Sequence, residues 1–204
     1  MVISVDAITK DPSLGWSPTG SGGTKVINAD IDAAAAITSS KLGFGTWEKV
    51  ADTVIAGAAV TSIDFSGLDL DAAKAYMITV RITNTATGAA GLNMFFNDDT
   101  TQAHYYEQSI YASGAVVASY RGNDASVAYL DPGNENTAVI TIARGVGKVK
   151  SCVKGSNREQ AAIETNDYIN CWVTEANVTR ITFTASAANT IGIGSRIMIF
   201  KVSQ

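Results

Sequence analysis

The chain has 204 residues, a formal net charge of −4 and only 17% charged side chains, enough for one sizeable domain, or one domain with an appendage, that buries a core without disulfide or metal staples. Its basic residues gather no closer than the spaced group Arg144, Lys148, Lys150 and Lys154, so nucleic acid is not an expected partner, because phosphate recognition needs concentrated positive charge. Its apolar runs are too short to span a bilayer as helices, and Met1–Asp6 is not a basic segment leading into an apolar one. Neither membrane insertion nor a secretory leader is therefore expected, and synthesis in a cytoplasm follows.

In chain order, the stretch Asp11–Gly23 is rich in Pro and Gly, which precludes long regular elements. Asn28–Leu42 follows, where Asp30 is placed to cap a short helix over Ala33–Ala36. A helix of that length is marginal alone. Trp16, Val26, Ile27, Ile31, Ile37, Leu42 and Phe44 form an apolar series with no local sheet to cover it. The composition shifts at Gly43-Phe44-Gly45. Residues 1–45 are therefore read as an extended docking and assembly arm, and residues 46–204 as one β domain.

From Thr46 the pattern has period two. Its clearest instance is Ala75–Thr83, with Tyr76, Ile78, Val80 and Ile82 on one face and Met77, Thr79, Arg81 and Thr83 on the other, the alternation of a half-buried strand. Comparable runs occupy Thr46–Ile55, Ser62–Phe65, Gly91–Phe96, Tyr105–Tyr111 and Ser126–Leu130. Others follow at Ala138–Ala143, Gly147–Val153, Tyr168–Val173, Thr179–Thr184 and Ser195–Val202. About ten short strands at this spacing, separated by Asn/Asp/Gly turns and without helices between them, predict an all-β antiparallel sandwich. Several connections are longer than tight hairpins, which favours a jelly-roll arrangement over an up-and-down barrel. No long-period repeat is present, as a propeller or β-helix would require.

Two segments resemble a known group. Asn28-Ala-Asp-Ile-Asp-Ala-Ala-Ala-Ala-Ile-Thr-Ser-Ser-Lys-Leu42 resembles a stretch found in fibre, tail and head-decoration proteins of tailed bacteriophages. The remainder resembles the jelly-roll heads appended to such stretches, through Trp47-Glu-Lys-Val50, Ile63-Asp-Phe-Ser-Gly-Leu-Asp69, Phe96–Thr101 before Tyr105-Tyr106, and Gly194–Phe200. The resemblance implies a virion structural protein, a homo-oligomer with a trimer favoured, whose N-terminal segment docks on capsid or tail proteins while a β head projects. The chain lacks the long shaft of many fibre proteins, so a compact capsid decoration, head fibre or short spike suits its length better than a long tail fibre.

Candidate chemistry is sparse. His104 is the only histidine and no G-x-S-x-G elbow accompanies it, so no Ser-His-Asp set is assembled. Asp98-Asp99 and the group Asp64, Asp69 and Asp71 around Gly67 read as turn residues bonding their own backbone. Asn97, Asp98 and Asp99 are weak candidates for calcium, because hard cations want clustered oxygens, but their spacing is not that of an EF-hand loop. The expectation is a non-enzymatic protein with no cofactor. Tyr105, Tyr106 and Tyr120 are candidate ligand-binding residues, with Tyr111 and Trp172 beside them, since aromatic faces near amides bind sugars. That pattern makes a host-surface glycan the rival partner. About half of these aromatics should point into the core. Cys152 and Cys171 lack metal-ligand spacing and fall on predicted strands. Buried free thiols and a cross-strand disulfide both stay open. Asn177-Val-Thr179 fits a glycosylation acceptor, a motif common by chance.

Overall fold

The computed structural model describes residues 47–113, 116–145, 148–158 and 163–202. By its internal contacts the chain divides into Met1–Phe44 and Gly45–Gln204. The predicted arm, including Trp16, Val26, Ile27, Ile31, Ile37, Leu42 and Phe44, lies outside the described residues, as does the short helix expected within it.

The second unit is almost entirely β. Its strands are β1 Trp47–Val54, β2 Ser62–Ser66, β3 Ala75–Thr83, β4 Ala90–Phe96, β5 Tyr105–Ser113 and β6 Val116–Gly122. They continue as β7 Ser126–Leu130, β8 Glu135–Gly145, β9 Lys148–Arg158, β10 Ile163–Trp172, β11 Arg180–Ala185 and β12 Arg196–Val202. One short helix, α1 Leu70–Ala73, interrupts them, capped by Asp69, whose Oδ1 accepts the Ala72 N–H at 3.0 Å. An eight-stranded sheet in the order β1-β12-β3-β8-β9-β10-β5-β6 faces a four-stranded sheet in the order β2-β11-β4-β7. All pairings are antiparallel.

Two four-strand rows, β1-β12-β3-β8 and β2-β11-β4-β7, carry the order of a jelly roll: chain-terminal strands lie at one side, and successive frame strands alternate between sheets except β4 and β7, which pair with each other. Two hairpins are inserted into this frame. β5–β6 enters between β4 and β7, and β9–β10 between β8 and β11. Both join the same edge of the larger sheet, so β9-β10-β5-β6 form a four-stranded extension of it.

Alternation explains the core. In β3, Tyr76, Ile78, Val80 and Ile82 are buried, in register with Ala138, Ile140 and Ile142 of β8 and with Ile197 and Ile199 of β12. Ile63 and Phe65, Leu92 and Met94, Val127, Ile181 and Phe183 meet them from the smaller sheet as one cluster. Phe65 and Phe183 pack edge to face at 6.2 Å. Each fully buried large side chain contributes about 1.5–3 kcal/mol of transfer free energy.

Sequence alternation located every strand except β6. Val116–Gly122 is the outermost strand of the extension and is mostly exposed, so no face of it is selected for burial and no period-two signature forms. The thiol of Cys171 is free. Cys152 and Cys171 lie on paired strands but not opposite one another, since Cys152 faces Ile169 and Cys171 faces Lys150.

Candidate functional site

The extension is where the surface departs from that of an ordinary sandwich. On its outer face, Tyr106 and Ile110 of β5, Val117 of β6 and Ile169 of β10 are all exposed, Val117 to 73%. The register places them as a continuous series. Ile169 lies opposite Gln108 and is therefore diagonal to both Tyr106 and Ile110, and Ile110, opposite Ser119, is diagonal to Val117. Diagonal neighbours in an antiparallel pair are within reach of long and aromatic side chains. Tyr106, Gln108, Arg121, Ile169 and Cys171 also rim a shallow depression on this face. The edge strand β6 adds Val116 and Tyr120, both exposed on the opposite face. Apolar groups on both faces of a terminal hairpin, beside an unpaired strand edge, are unusual on a surface left in water.

At the base of the extension the chain passes from one sheet to the other. Asn97 and Asp98 hold φ of 50° and 62°, and the Asp99 N–H closes the turn onto the Phe96 carbonyl at 2.9 Å. Asn and Asp tolerate this left-handed backbone better than most residues. A 3-10 turn at Gln102–His104 leads into β5. Asp99 then ties the junction together, its Oδ2 accepting from Trp172 Nε1 at 2.8 Å and lying 2.8 Å from His104 Nδ1. Partial burial opposes ionisation of Asp99, but the bonds from Trp172, His104 and the Thr101 N–H outweigh it and hold the carboxyl below its ordinary range. Tyr105 inserts beneath, its hydroxyl donating to the Asp99 carbonyl at 2.8 Å and accepting the Phe96 N–H at 2.9 Å.

The aromatic candidates separate. Tyr105 is 1% exposed and packs with Phe95, Phe96 and Trp172 at centroid distances of 5.4–6.5 Å within that group. Its expected ligand-binding role is corrected to a core role, because strand parity turns it inward. Tyr106, one residue on, faces out. Tyr120 lies opposite Ser109 and thus shares the inward-facing parity of Tyr105, with its ring over Gly122, where an added Cβ would fall 2.2 Å from the Tyr120 hydroxyl. Tyr106 and Tyr120 therefore lie on opposite faces and do not converge on one ligand.

The oxygens of Asn97, Asp98 and Asp99 are directed to separate protein partners. Asn97 Oδ1 accepts the Thr179 and Arg180 N–H groups at 2.9 and 3.1 Å, Asp98 pairs with Arg180 at 2.9 Å, and Asp99 serves Trp172 and His104. The residues around Gly67 are likewise engaged: Asp64 with Arg180, Asp69 with α1 and Asn177, Asp71 with Arg144. Asn177, the glycosylation candidate, accepts the Asp71 N–H at 3.0 Å and donates to Asp69 at 2.9 Å. The pair of His104 and Asp99 has the hydrogen bond of a base and its orienting carboxylate, but among the described residues no nucleophile is bonded to it.

Sequence reading missed Ile110, Val117 and Ile169 as surface groups. The signal was present in doublets: Tyr105-Tyr106, Ile110-Tyr111 and Val116-Val117 put apolar residues on both phases of a strand, a pattern of burial on both faces. No family model, curated protein or solved structure matches the chain.

Proposed function

We propose that the chain is a non-enzymatic structural component of a phage-like virion, decorating or projecting from the capsid or tail through residues 1–45. The observation that carries this reading is the outward-facing apolar series Tyr106, Ile110, Val117 and Ile169 on a domain whose own core is already complete. Such a surface is stable in water only at a cost, and neighbouring subunits that cover it recover about 25 cal/mol per Å² of apolar area before ordering costs. The apolar arm residues make the same demand from the other end of the sequence. A trimer is the favoured assembly, and the virion the site of action.

The test is deletion of residues 1–45. The remaining domain should fold, stay soluble and fail to join its particle. Incorporation at normal occupancy by the truncated protein would end this reading. Solution masses of the full chain and of residues 46–204 by light scattering then locate the self-association. Trimers in both place it in the sandwich, and monomers in both remove the trimer.

A second reading, recognition of a host-surface glycan, is favoured by one local arrangement: Tyr106 beside Gln108 and Arg121 at the outer depression. Binding on a glycan array that disappears in Tyr106→Ala would support it. Silence across a broad array would count against it.

A further inference from the structure

Beneath the apolar outer face, the inward side of the extension holds a row of buried polar groups. Ser151 of β9, Asn170 of β10 and Glu107 of β5 lie directly opposite one another across adjacent strands. They are 2%, 4% and 4% exposed. Ser151 Oγ, Asn170 Oδ1 and Glu107 Oε2 have no hydrogen-bond partner in the structure. The orientation of the amide is fixed from the other side, since Asn170 Nδ2 donates to the Ser126 carbonyl of β7 at 2.9 Å. That leaves Oδ1, an acceptor, as the free atom of Asn170. An ionised Glu107 would set a second acceptor in the neighbouring position, and the one hydroxyl of the row, that of Ser151, bonds to neither.

Buried acceptors without donors are costly, and a buried carboxylate without a cation more so. Arg121 lines the same shallow depression as Glu107, but strand parity puts it with Gln108 on the outer face, and no ion pair joins the two among the described residues. Ser109, on the same strand as Glu107, hydrogen-bonds the carboxyl, and Gly122 stands opposite on β6. Asp124, on the connection from β6 to β7, adds a like charge. The other titratable groups on this inward side, among the described residues, are the phenols of Tyr105, Tyr111, Tyr120 and Tyr168. Among the described residues, no Lys, Arg or His pairs with Glu107.

We propose that Glu107 is a neutral carboxylic acid in the folded protein, its Oε2–H donating to Asn170 Oδ1, so that the β5–β10 junction is a proton-dependent latch. One proton satisfies both unpaired acceptors across a single in-register pair. Its loss leaves a buried, unpaired anion between the strands that carry Tyr106, Ile110 and Ile169. Burial, reinforced by Asp124, pushes the Glu107 carboxyl up to about 7. The group is thus raised above its unfolded value. Its stabilisation is complete below the ordinary carboxylate range, declines as pH rises from that range to about 7, and is gone above it. The latch does not depend on the virion reading, because it rests on the interior of the domain alone.

The experiment compares the full chain with Glu107→Gln between pH 5 and pH 8, by thermal melting and by infrared spectroscopy of the protonated carboxyl band. In the native chain a neutral carboxyl should titrate with a midpoint near 7, and melting temperature should fall over that range. Glu107→Gln, whose amide donates to Asn170 at every pH, should lose the band and flatten the fall. Absence of any carboxyl band titrating near 7 in the native chain would overturn the proposal even if the variant failed to fold. So would a rise in melting temperature at pH 8 on adding calcium chloride that Glu107→Gln abolishes, since the row would then be holding a cation rather than a proton.

Discussion

The jelly-roll frame and its four-stranded extension share one sheet but differ in how much polar surface they bury. Where β3, β8 and β12 turn inward they present Ile78, Val80, Ile82, Ile140, Ile142, Ile197 and Ile199, all buried against the second sheet. Where β9, β10 and β5 turn inward they bury Val149, Val153, Tyr168, Trp172 and Tyr105, but set among them the polar groups Ser151, Asn166, Asn170, Glu107 and Ser109. The frame is stabilised by apolar burial, which is tolerant of detail. The extension adds to its apolar burial a row of polar groups whose satisfaction depends on particular partners. Local opening should therefore begin in the extension, which also carries more of the exposed large apolar side chains than the frame does among the described residues.

The sharpest break in this comparison is a cavity in the frame. Phe183→Ala removes a fully buried ring packed on Phe65, and urea unfolding should report a loss of about 3–5 kcal/mol. At the junction between the regions, Tyr105→Phe keeps the aromatic stack but leaves the buried Phe96 N–H without its acceptor. A loss of about 1–3 kcal/mol is expected in the same assay, with hydrogen exchange quickening in β5 and β10 more than in β3. If exchange instead quickened evenly across the domain, the two regions would form a single cooperative unit.

On the outer face of the extension, Ile169→Ser should change stability by no more than about 0.5 kcal/mol, because the side chain is already in water. Its effect should appear in self-association or particle incorporation. Smallest is the exposed pair of Asp52 and Arg196, bridged at 2.7 and 2.8 Å. The Arg196 guanidinium, assisted by Lys49, holds the Asp52 carboxyl well below the usual carboxylate range. Its contribution is present above that range and is lost as pH falls below it, toward the depressed folded value. Asp52→Asn should therefore narrow the difference in melting temperature between neutral and acid pH while leaving the order of opening unchanged.

Glu107 shows where sequence reading stops. Strand parity separates it from Tyr106, yet nothing local distinguishes a glutamate facing water from one sealed inside the fold. Tyr105 makes the same point in reverse: its sequence neighbourhood suggests an exposed aromatic cluster, and burial beside Trp172 depends on a strand 67 positions later in the chain. β6 escaped notice because an edge strand exposed on both sides carries no alternation to read.

Alternation itself is a local property, set by the two-residue repeat of a pleated strand, and it sufficed for the all-β class, for the positions of the frame strands and for the inward residues of β3. The jelly-roll preference rested on loop lengths, and the strand order supports it. That both insertions join one edge was decided by tertiary structure alone, and so were the facing of Ser151, Asn170 and Glu107 and the series running from Tyr106 through Ile169 and Ile110 to Val117. Each of these depends on pairings between distant segments, whose register is fixed by the core as a whole.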